Sequence, residues 1–333
     1  MNVVPHPLPE VADLDGLLRC APFFERLDAR ERARILAVAR PFAVAAGHTL
    51  FSQGDQADAM YLLASGAVRV TARLLGEDEV ELATVRGGEI VGELGLVDRG
   101  VRTGTARAIR AATGYVFGAA AFAALRAARE PGAHRVVAEI ARIVGERVGR
   151  LARPLASQPT AVAAPPPRLE LADVPALVDR QLGALPLFAP LGGAERRSLL
   201  ASGRAVAAAP GAVVFEAGRD ADEVFVVLHG ALQLAVGANR IGAVGPGRTA
   251  GLASALGAER RHFERCTSRD GALLLVVDRA ALDAIATGIA PYAPALLDVF
   301  VADLIATLRT YNRRVAGLVV GGARTGRWAV API

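Results

Sequence analysis

Hydrophobic and polar residues alternate along short stretches of the chain. In AVRVTARL, apolar and polar side chains take turns, with Val68, Val70, Ala72 and Leu74 between Arg69, Thr71 and Arg73. A period of two residues predicts a strand with one buried face. Turns are predicted between such stretches at Gly54-Asp55, Ser65-Gly66, Gly76-Glu77-Asp78 and Gly87-Gly88. Short strands at regular intervals favour a small barrel or roll.

Helical patterns flank these strands. Asp28 precedes ARERARIL as a candidate N-cap, and Ile35 and Leu36 lie on the face that we expect to be buried. Farther along, apolar residues recur at helical spacing and form one stripe of Val137, Ile140, Val144, Val148 and Leu151. Packing within the chain and a helical dimer seam explain this stripe equally well, so a homodimer stays open.

The chain contains an internal repeat. HTLFSQGDQADAMYLLASGAVRV aligns with AVVFEAGRDADEVFVVLHGALQLAV at an offset of 164 residues, which carries Gly47 to Gly211. The offset falls to 159 where Gly92 aligns with Gly251, because the second copy has a shorter hairpin. We interpret the repeat as a gene duplication that produced two copies of one unit.

A proline- and alanine-rich segment, RPLASQPTAVAAPPPR, separates the copies and cannot continue a helix. The expected organisation is a first domain over 15–152, a linker over 153–168, a second domain over 169–320 and a tail over 321–333. The tail contains the single tryptophan, Trp328.

Composition and charge narrow the class of protein. Of 333 residues, 53% are hydrophobic and 21% are charged, which is typical of a folded chain. The 38 basic residues are all arginines, against 33 acidic residues, and they spread along the chain. This indicates a composition bias, and DNA is not expected as a partner. No membrane span or signal peptide is recognisable, so a cytoplasmic location is expected.

Catalytic and metal chemistry lack candidate residues. Cys20 and Cys266 lie far apart, and the five histidines have no metal-binding spacing. The sequence contains no GxSxG, P-loop or GxGxxG motif. We expect no enzyme activity, no catalytic residue, no metal and no cofactor.

The stretch GELGLVDRGVRTGTARA, residues 92–108, places a glutamate and an arginine among small and apolar residues. Glycine-rich turns leave backbone N–H groups that form an anion site, and Arg102 supplies a fork of donors for phosphate oxygens. The Glu93 carboxylate accepts hydrogen bonds from a hydroxyl group. Together they suit a sugar phosphate, but an internal salt bridge between Glu93 and Arg102 fits the same residues.

This stretch resembles the phosphate-binding cassette of the cyclic-nucleotide-binding domain family, which includes the catabolite activator protein and the regulatory subunit of cyclic-AMP-dependent protein kinase. The match covers Gly-Glu-Leu, the arginine with its small successor and the closing Arg-Ala. The resemblance implies an α+β fold with two tandem antiparallel β-rolls, jelly-roll-like, each flanked by helices.

The resemblance also implies roles for five residues. Gly92 and Leu94 would offer backbone amides, and Glu93 would hold the ribose 2′-hydroxyl. Arg102 would pair with the cyclic phosphate, and Thr103 would add its amide and hydroxyl. The ligand would be cAMP or cGMP, and the helix that follows the roll would cap its base.

The second copy departs from this pattern. In GLASALGAERRHFER, Leu252 replaces the glutamate, Arg261 aligns with the cassette arginine, and His262 and Phe263 replace the small residues. We therefore expect this copy to have kept the fold and lost the ligand. The alternative is that a different anion binds through Arg260 and Arg261.

These features favour a cyclic-nucleotide sensor that signals through a protein partner of unknown identity. The C-terminal helix and the tail are the expected contact with that partner. The alternative is a scaffold of the same fold that binds no ligand. A transcription factor would need a helix-turn-helix, for which the tail after Val320 is too short. The first 16 residues lack the basic inhibitor segment of the kinase regulatory subunits.

Overall fold

The computed structural model describes residues 16–17, 21–73, 79–98, 100–156, 169–170, 175–185 and 188–323. The chain divides into two compact units. The first runs to Ile140 and includes the residues from Ala316 onward, and the second comprises Ala141–Val315. The domain and linker bounds expected from the sequence stay predictions.

The first unit contains a six-stranded antiparallel sheet in the order β1-β6-β3-β4, with β2 paired to β6 and β5 paired to β3. Its strands are β1 (Ala39–Val44), β2 (Thr49–Phe51), β3 (Ala59–Arg73), β4 (Glu79–Arg86), β5 (Ile90–Val91) and β6 (Thr105–Gly118). Its helices are α1 (Ala29–Leu36), α2 (Ala119–Ala127) and the first part of α3 (Pro131–Ala152). Short 3-10 helices lie at Pro22–Phe24 and Glu93–Leu96.

The alternating pattern in β3 is confirmed. Val68 and Ala72 are buried, whereas Arg69 and Arg73 are exposed. Val68 packs in one core with Ala59, Tyr61, Leu63, Val85, Val91, Ala106 and Ala112. This part of the roll therefore has an apolar interior and a charged outer face.

One predicted turn is wrong. Ser65 and Gly66 lie inside β3, at a point where its pairing with β6 shifts register. Gly66 has a φ of 85°, and a Cβ added there would lie 2.2 Å from the carbonyl oxygen of Ala111. The glycine therefore marks a bulge within a continuous strand and not a reversal of the chain.

The helical predictions are confirmed. The Asp28 carboxylate accepts a hydrogen bond from the Glu31 N–H at 2.8 Å, and the Glu31 carboxylate accepts one from the Asp28 N–H at 3.0 Å. This capping box begins α1, in which Ile35 is buried and Leu36 is half-buried. All five residues of the apolar stripe on α3 are buried within the single chain. Packing within the chain is therefore sufficient to explain the stripe, and a homodimer stays a prediction.

The second unit contains a seven-stranded antiparallel sheet in the order β11-β10-β13-β8-β7, with β12 paired to β10 and β9 paired to β13. Its strands are β7 (Leu169–Glu170), β8 (Gly203–Ala208), β9 (Val213–Phe215), β10 (Glu223–Val236), β11 (Asn239–Val244), β12 (Thr249–Ala250) and β13 (Arg265–Asp278). Its helices include α4 (Pro175–Ala184), α5 (Gly193–Ser202), α6 (Leu252–Leu256), α7 (Arg279–Thr287) and most of α8 (Ala293–Ala323).

The two units repeat one backbone design. Equivalent glycines adopt positive φ in both copies, in the pairs Gly47 and Gly211, Gly54 and Gly218, Gly66 and Gly230, Gly88 and Gly247, and Gly92 and Gly251. Few other residues tolerate this conformation, so the shared positions reflect shared turns and bulges. The predicted α+β fold of two tandem antiparallel rolls with flanking helices is confirmed.

Some predictions fall on residues outside the described ranges. These are the strand position Leu74, the turn at Gly76-Glu77-Asp78, residues 157–168 of the linker and the end of the tail with Trp328. The start of the linker, Arg153–Ala156, forms a 3-10 helix. Among the described residues, none of the helices combines the length and the apolar character that crossing a membrane requires.

Candidate functional site

The cassette of the first unit begins at Gly92, directly after β5. Gly92 has a φ of 76°, and Glu93–Leu96 follow it as a 3-10 helix. A Cβ on Gly92 would lie 2.6 Å from Nη1 of Arg102 and 3.1 Å from the ring of Phe51. Glycine therefore permits both the left-handed turn and the close approach of the arginine.

The guanidinium of Arg102 is held by three protein groups. Nη1 donates to the carbonyl oxygens of Ala59 at 2.6 Å and Gly92 at 3.1 Å. Nη2 donates to Oδ1 of Asp58 at 3.2 Å. The Arg102 side chain is only 3% exposed, whereas that of Asp58 is 77% exposed. The arginine is therefore buried and oriented, with one carboxylate at the surface beside it.

The ring of Phe51 packs against the same guanidinium, whose carbon lies 4.1 Å from the ring centroid. This is a cation–π contact. Burial lowers the pKa of Arg102, and the neighbouring Tyr61, Asp58 and Glu93 oppose that shift. Because an arginine pKa starts far above neutrality, the guanidinium stays charged at neutral pH.

Two donors of Arg102 remain after these contacts are counted. A guanidinium carries five N–H groups. Both on Nη1 and one on Nη2 are used by Ala59, Gly92 and Asp58. The Nε group is buried and has no hydrogen-bond partner in the described part of the chain. Nε and the second Nη2 proton form an edge that suits two oxygens of one anion.

The other predicted site residues lie at different depths. Glu93 is the first residue of the 3-10 helix and is 2% exposed, and Leu94 beside it is also buried. Thr103 is exposed. The structure brings Gly92 and Arg102 into contact and leaves Thr103 at the surface, while the ligand roles of all five residues stay predictions.

Sequence reasoning missed Asp58, which pairs with Arg102. A signal for it was present, because Asp58 closes the GDQAD motif and the second copy repeats this aspartate as Asp222. Asp222 also pairs with an arginine, since its Oδ1 lies 3.5 Å from Nε of Arg279. The repeated aspartate thus serves a different arginine in each unit.

In the second unit a histidine takes the position that Arg102 holds in the first. Gly251 has a φ of 83° and is followed by α6. The ring of His262 stacks on Phe215, the counterpart of Phe51, with centroids 3.8 Å apart and planes inclined by 12°. His262 is 4% exposed, so it is as deeply buried as the arginine of the first unit.

Backbone contacts establish this equivalence and correct the sequence alignment. The Gly54 N–H donates to the carbonyl of Arg102 at 3.0 Å, and the Gly218 N–H donates to the carbonyl of His262 at 2.7 Å. The alignment of Arg261 with Arg102 is therefore wrong by one residue. The reason is that α6 has five residues where the first unit has a four-residue 3-10 helix, so a constant offset fails there.

Arg260 and Arg261 lie at the surface of the second unit. Arg260 is exposed and has a φ of 46°. The Arg261 side chain is 66% exposed, and its Nε lies 3.9 Å from Oδ1 of Asp220. Solvent screens charges of this kind strongly. Anion binding through Arg260 and Arg261 stays a prediction.

A cavity of about 230 Å³ lies beside His262. The rings of Phe215 and Phe225 form an apolar wall of the cavity, and charged side chains form much of the rest of its lining. Its carboxylates pair with arginines, in the pairs Glu216 with Arg265, Asp220 with Arg261, Asp222 with Arg279 and Glu223 with Arg204. Within the described ranges, no group of three acidic, histidine or cysteine side chains is arranged to hold a metal ion.

Helix α8 packs beside the second cassette through buried polar contacts. The Tyr311 hydroxyl donates to the carboxylate of Glu264, and burial raises the pKa of Glu264 to about 7. Asp303 accepts hydrogen bonds from the N–H and the hydroxyl of Thr249 and pairs with Arg248. These partners are far apart in the sequence, so no local pattern indicated them.

Residues 41–129 match the cyclic nucleotide-binding domain family. The matched range contains β2 to β6 and the whole first cassette. This part of the chain is therefore similar to the cyclic nucleotide-binding domain family, as the resemblance of its cassette implied.

Individual relatives share parts of the chain. It is 44% identical over 63 residues to the cyclic AMP receptor protein of Thermus thermophilus, which covers 19% of this chain and 29% of that protein. It is 31% identical over 127 residues to glutaminase 1 of Bradyrhizobium diazoefficiens, which covers 38% of this chain and 20% of that protein. The regulatory domain of Toxoplasma gondii PKA, crystallised with cAMP, is 17% identical. The similarity covers 83% of this chain and 93% of that domain, with a TM-score of 0.32. The chain spans less than a third of either curated relative.

Proposed function

We propose that the first unit binds a cyclic nucleotide and that the chain regulates a protein partner according to its occupancy. The match of residues 41–129 to the cyclic nucleotide-binding domain family and the arrangement of the first cassette support this function. Such a domain performs no chemistry, because its ligand acts by favouring one arrangement of the protein over another. The partner contact through the C-terminal helix and tail belongs to the same proposal.

The main observation behind the proposal is the pair of available donors on Arg102, its Nε proton and the second Nη2 proton. Its Nε is a buried donor without a hydrogen-bond partner in the described chain, which costs free energy unless a ligand accepts from it. A cyclic phosphate has two exocyclic oxygens on one phosphorus and matches this two-donor edge. Contacts from Ala59, Gly92 and Asp58 hold the guanidinium in place before the ligand arrives, which lowers the entropic cost of binding.

The remaining cassette residues have roles that follow their positions. Glu93, buried at the start of the 3-10 helix, accepts from the ribose 2′-hydroxyl. Gly92 and Leu94 present backbone amides to the phosphate, and exposed Thr103 adds its amide and hydroxyl. These contacts involve the sugar and the phosphate, which cAMP and cGMP share. Both nucleotides are therefore ligands to test.

The second unit is assigned a structural role without cyclic nucleotide. Leu252 replaces Glu93, and His262 replaces Arg102. Each lost hydrogen bond to a charged group is worth about 1.5–3 kcal/mol, so the two together weaken binding by at least about a hundredfold. The ring of His262 also occupies the space beside Phe215.

Calorimetric titration of the whole chain with cAMP and with cGMP tests this function. We expect binding of one nucleotide per chain, and the Arg102→Ala variant should bind about a hundredfold more weakly because it loses a paired charge-assisted contact. Arg261→Ala is the matched control, since it removes an exposed arginine from the other cassette. Binding of two nucleotides per chain would contradict the structural role of the second unit.

One observation favours the alternative of a ligand-free scaffold. Arg102 is 3% exposed and already contacts three protein groups, including the Asp58 carboxylate, so its charge is compensated without a ligand. If the scaffold is correct, neither nucleotide will produce heat or raise the melting temperature. Arg102→Ala will then change only the stability of the first unit.

A further inference from the structure

The outer face of the first roll carries an arginine cluster that the cyclic-nucleotide site does not use. We infer that this face docks an acidic segment of a partner polypeptide. The cluster consists of Arg69 on β3, Arg86 on β4, and Arg107 and Arg110 on β6, and all four residues are exposed. The inference rests on the sheet and does not depend on ligand binding by the cassette.

Strand register places the four side chains on one face. Arg69 pairs directly with Arg107 across β3 and β6. Two residues earlier on β3, Ala67 pairs with Arg86 of β4 on one side and with Arg110 of β6 on the other. The residue between these rows, Val68, points into the core and is fully buried. Two adjacent rows thus present four guanidinium groups around the small side chain of Ala67.

Repulsion between these arginines destabilises the sheet, and within the described chain only one of the four forms an ion pair. Like charges directly opposite each other on neighbouring strands destabilise a sheet. Arg69 pairs with Glu81 at 3.1 Å. Among the described residues, the side chains of Arg86, Arg107 and Arg110 have no carboxylate partner. A face that gathers cations in this way is suited to an anionic partner.

The second unit shows that the cluster is not a general consequence of an arginine-rich composition. Its β10 and β13 pair Gln233 with Thr267 where the first unit pairs Arg69 with Arg107. Val244 pairs with Leu232 as Val85 pairs with Val68, so the counterpart of Arg86 is Gly245 and that of Arg110 in sequence is Asp270. The same fold therefore has no arginine at any of the four positions.

The size of the patch favours a short acidic peptide over nucleic acid. Duplex binding depends on many phosphate contacts along a continuous basic track. Here the cluster meets Glu79 and Glu81 on the same sheet, and both are exposed. These carboxylates would repel an extended phosphate backbone. A few carboxylates of a polypeptide, by contrast, fit within two rows of the sheet.

Fluorescence anisotropy of a labelled ten-residue peptide of alternating glutamate and threonine tests the inference on the whole chain. The variant Arg69→Gln/Arg107→Thr carries the residues that the second unit uses at this register, so it is compatible with the fold. We expect it to bind the peptide about tenfold more weakly, since it loses two solvent-screened charge contacts. Arg110→Asp, the second variant, should weaken binding in the same direction.

The control variant is Arg30→Gln/Arg40→Gln, which removes the same charge from exposed positions outside the cluster. It should bind the peptide as the unmodified chain does. Equal loss in the control and cluster variants, or no peptide binding by the unmodified chain, would overturn the inference. Preferential binding of a labelled 20-base-pair duplex would overturn it in favour of nucleic acid. Nucleotide titration of the cluster variants should be unchanged, which separates this test from that of the proposed function.

Discussion

The buried carboxyl of Glu264 makes a quantitative prediction about the stability of the second unit. Burial raises its pKa from 4.5 to about 7, while the hydrogen bond from Tyr311 partly opposes the shift. An acid whose pKa is higher in the folded state binds its proton more tightly there. Its contribution to stability is therefore fully present below pH 4.5 and is lost as the pH rises through 7.

The magnitude follows from the shift. The pKa of Glu264 rises by about 2.5 on folding. At ~1.4 kcal/mol for each tenfold change in proton affinity, this corresponds to roughly 3 kcal/mol of unfolding free energy. Glu264 is 4% exposed, so solvent does little to reduce this value. Glu264→Gln keeps the shape and an acceptor for Tyr311 but cannot ionise. Ionisation at this position therefore cannot lower the stability of the variant between pH 5 and 8.

Hydrogen exchange read by mass spectrometry on peptides from β13 measures the effect. The ratio of exchange in the unmodified chain to that in Glu264→Gln cancels the intrinsic pH dependence of the amides. We expect this ratio to rise by about tenfold per pH unit between pH 5 and 7. Tyr311→Phe removes the bond that lowers the pKa of Glu264, so its loss of protection should extend to higher pH. A ratio that stays constant across this range would refute the reasoning.

Three stability predictions follow from other contacts. Asp28→Ala breaks the capping box of α1 and should cost about 1 kcal/mol in denaturant unfolding of the first unit. Gly66→Ala places a Cβ against a carbonyl oxygen and should cost at least about 1–3 kcal/mol in the same assay, more than Gly47→Ala, which has similar φ but open space. Asp303→Ala removes the acceptor of the buried Thr249 N–H and hydroxyl, so it should destabilise the second unit by about 1–3 kcal/mol and lower its melting temperature. An unchanged transition would show that these contacts are not stabilising.

The resemblance to the cyclic nucleotide-binding domain family was evident from local sequence. The alternation around Val68, the capping residue Asp28 and the glycines of each copy are features of short segments, so they predicted strands, a helix start and the repeat. The residues of the cassette likewise lie within one stretch of the chain. Its motif identified Glu93 and Arg102 as candidates before any contact was known.

Tertiary structure decided what those residues contact. Asp58 reaches Arg102 across 44 positions, and Glu264 reaches Tyr311 across 47. Such pairs depend on how strands and helices meet, which periodicity does not encode. The partners of a buried charge therefore became visible only in the folded unit.

The second cassette shows the same limit most clearly. In the sequence, Arg261 aligned with Arg102, and a single additional residue in α6 moved His262 into that place instead. A shift of one residue along a strand turns each side chain to the opposite face. The sequence determined that the fold was duplicated, but the register of one short segment decided which side chain fills each copy of the site.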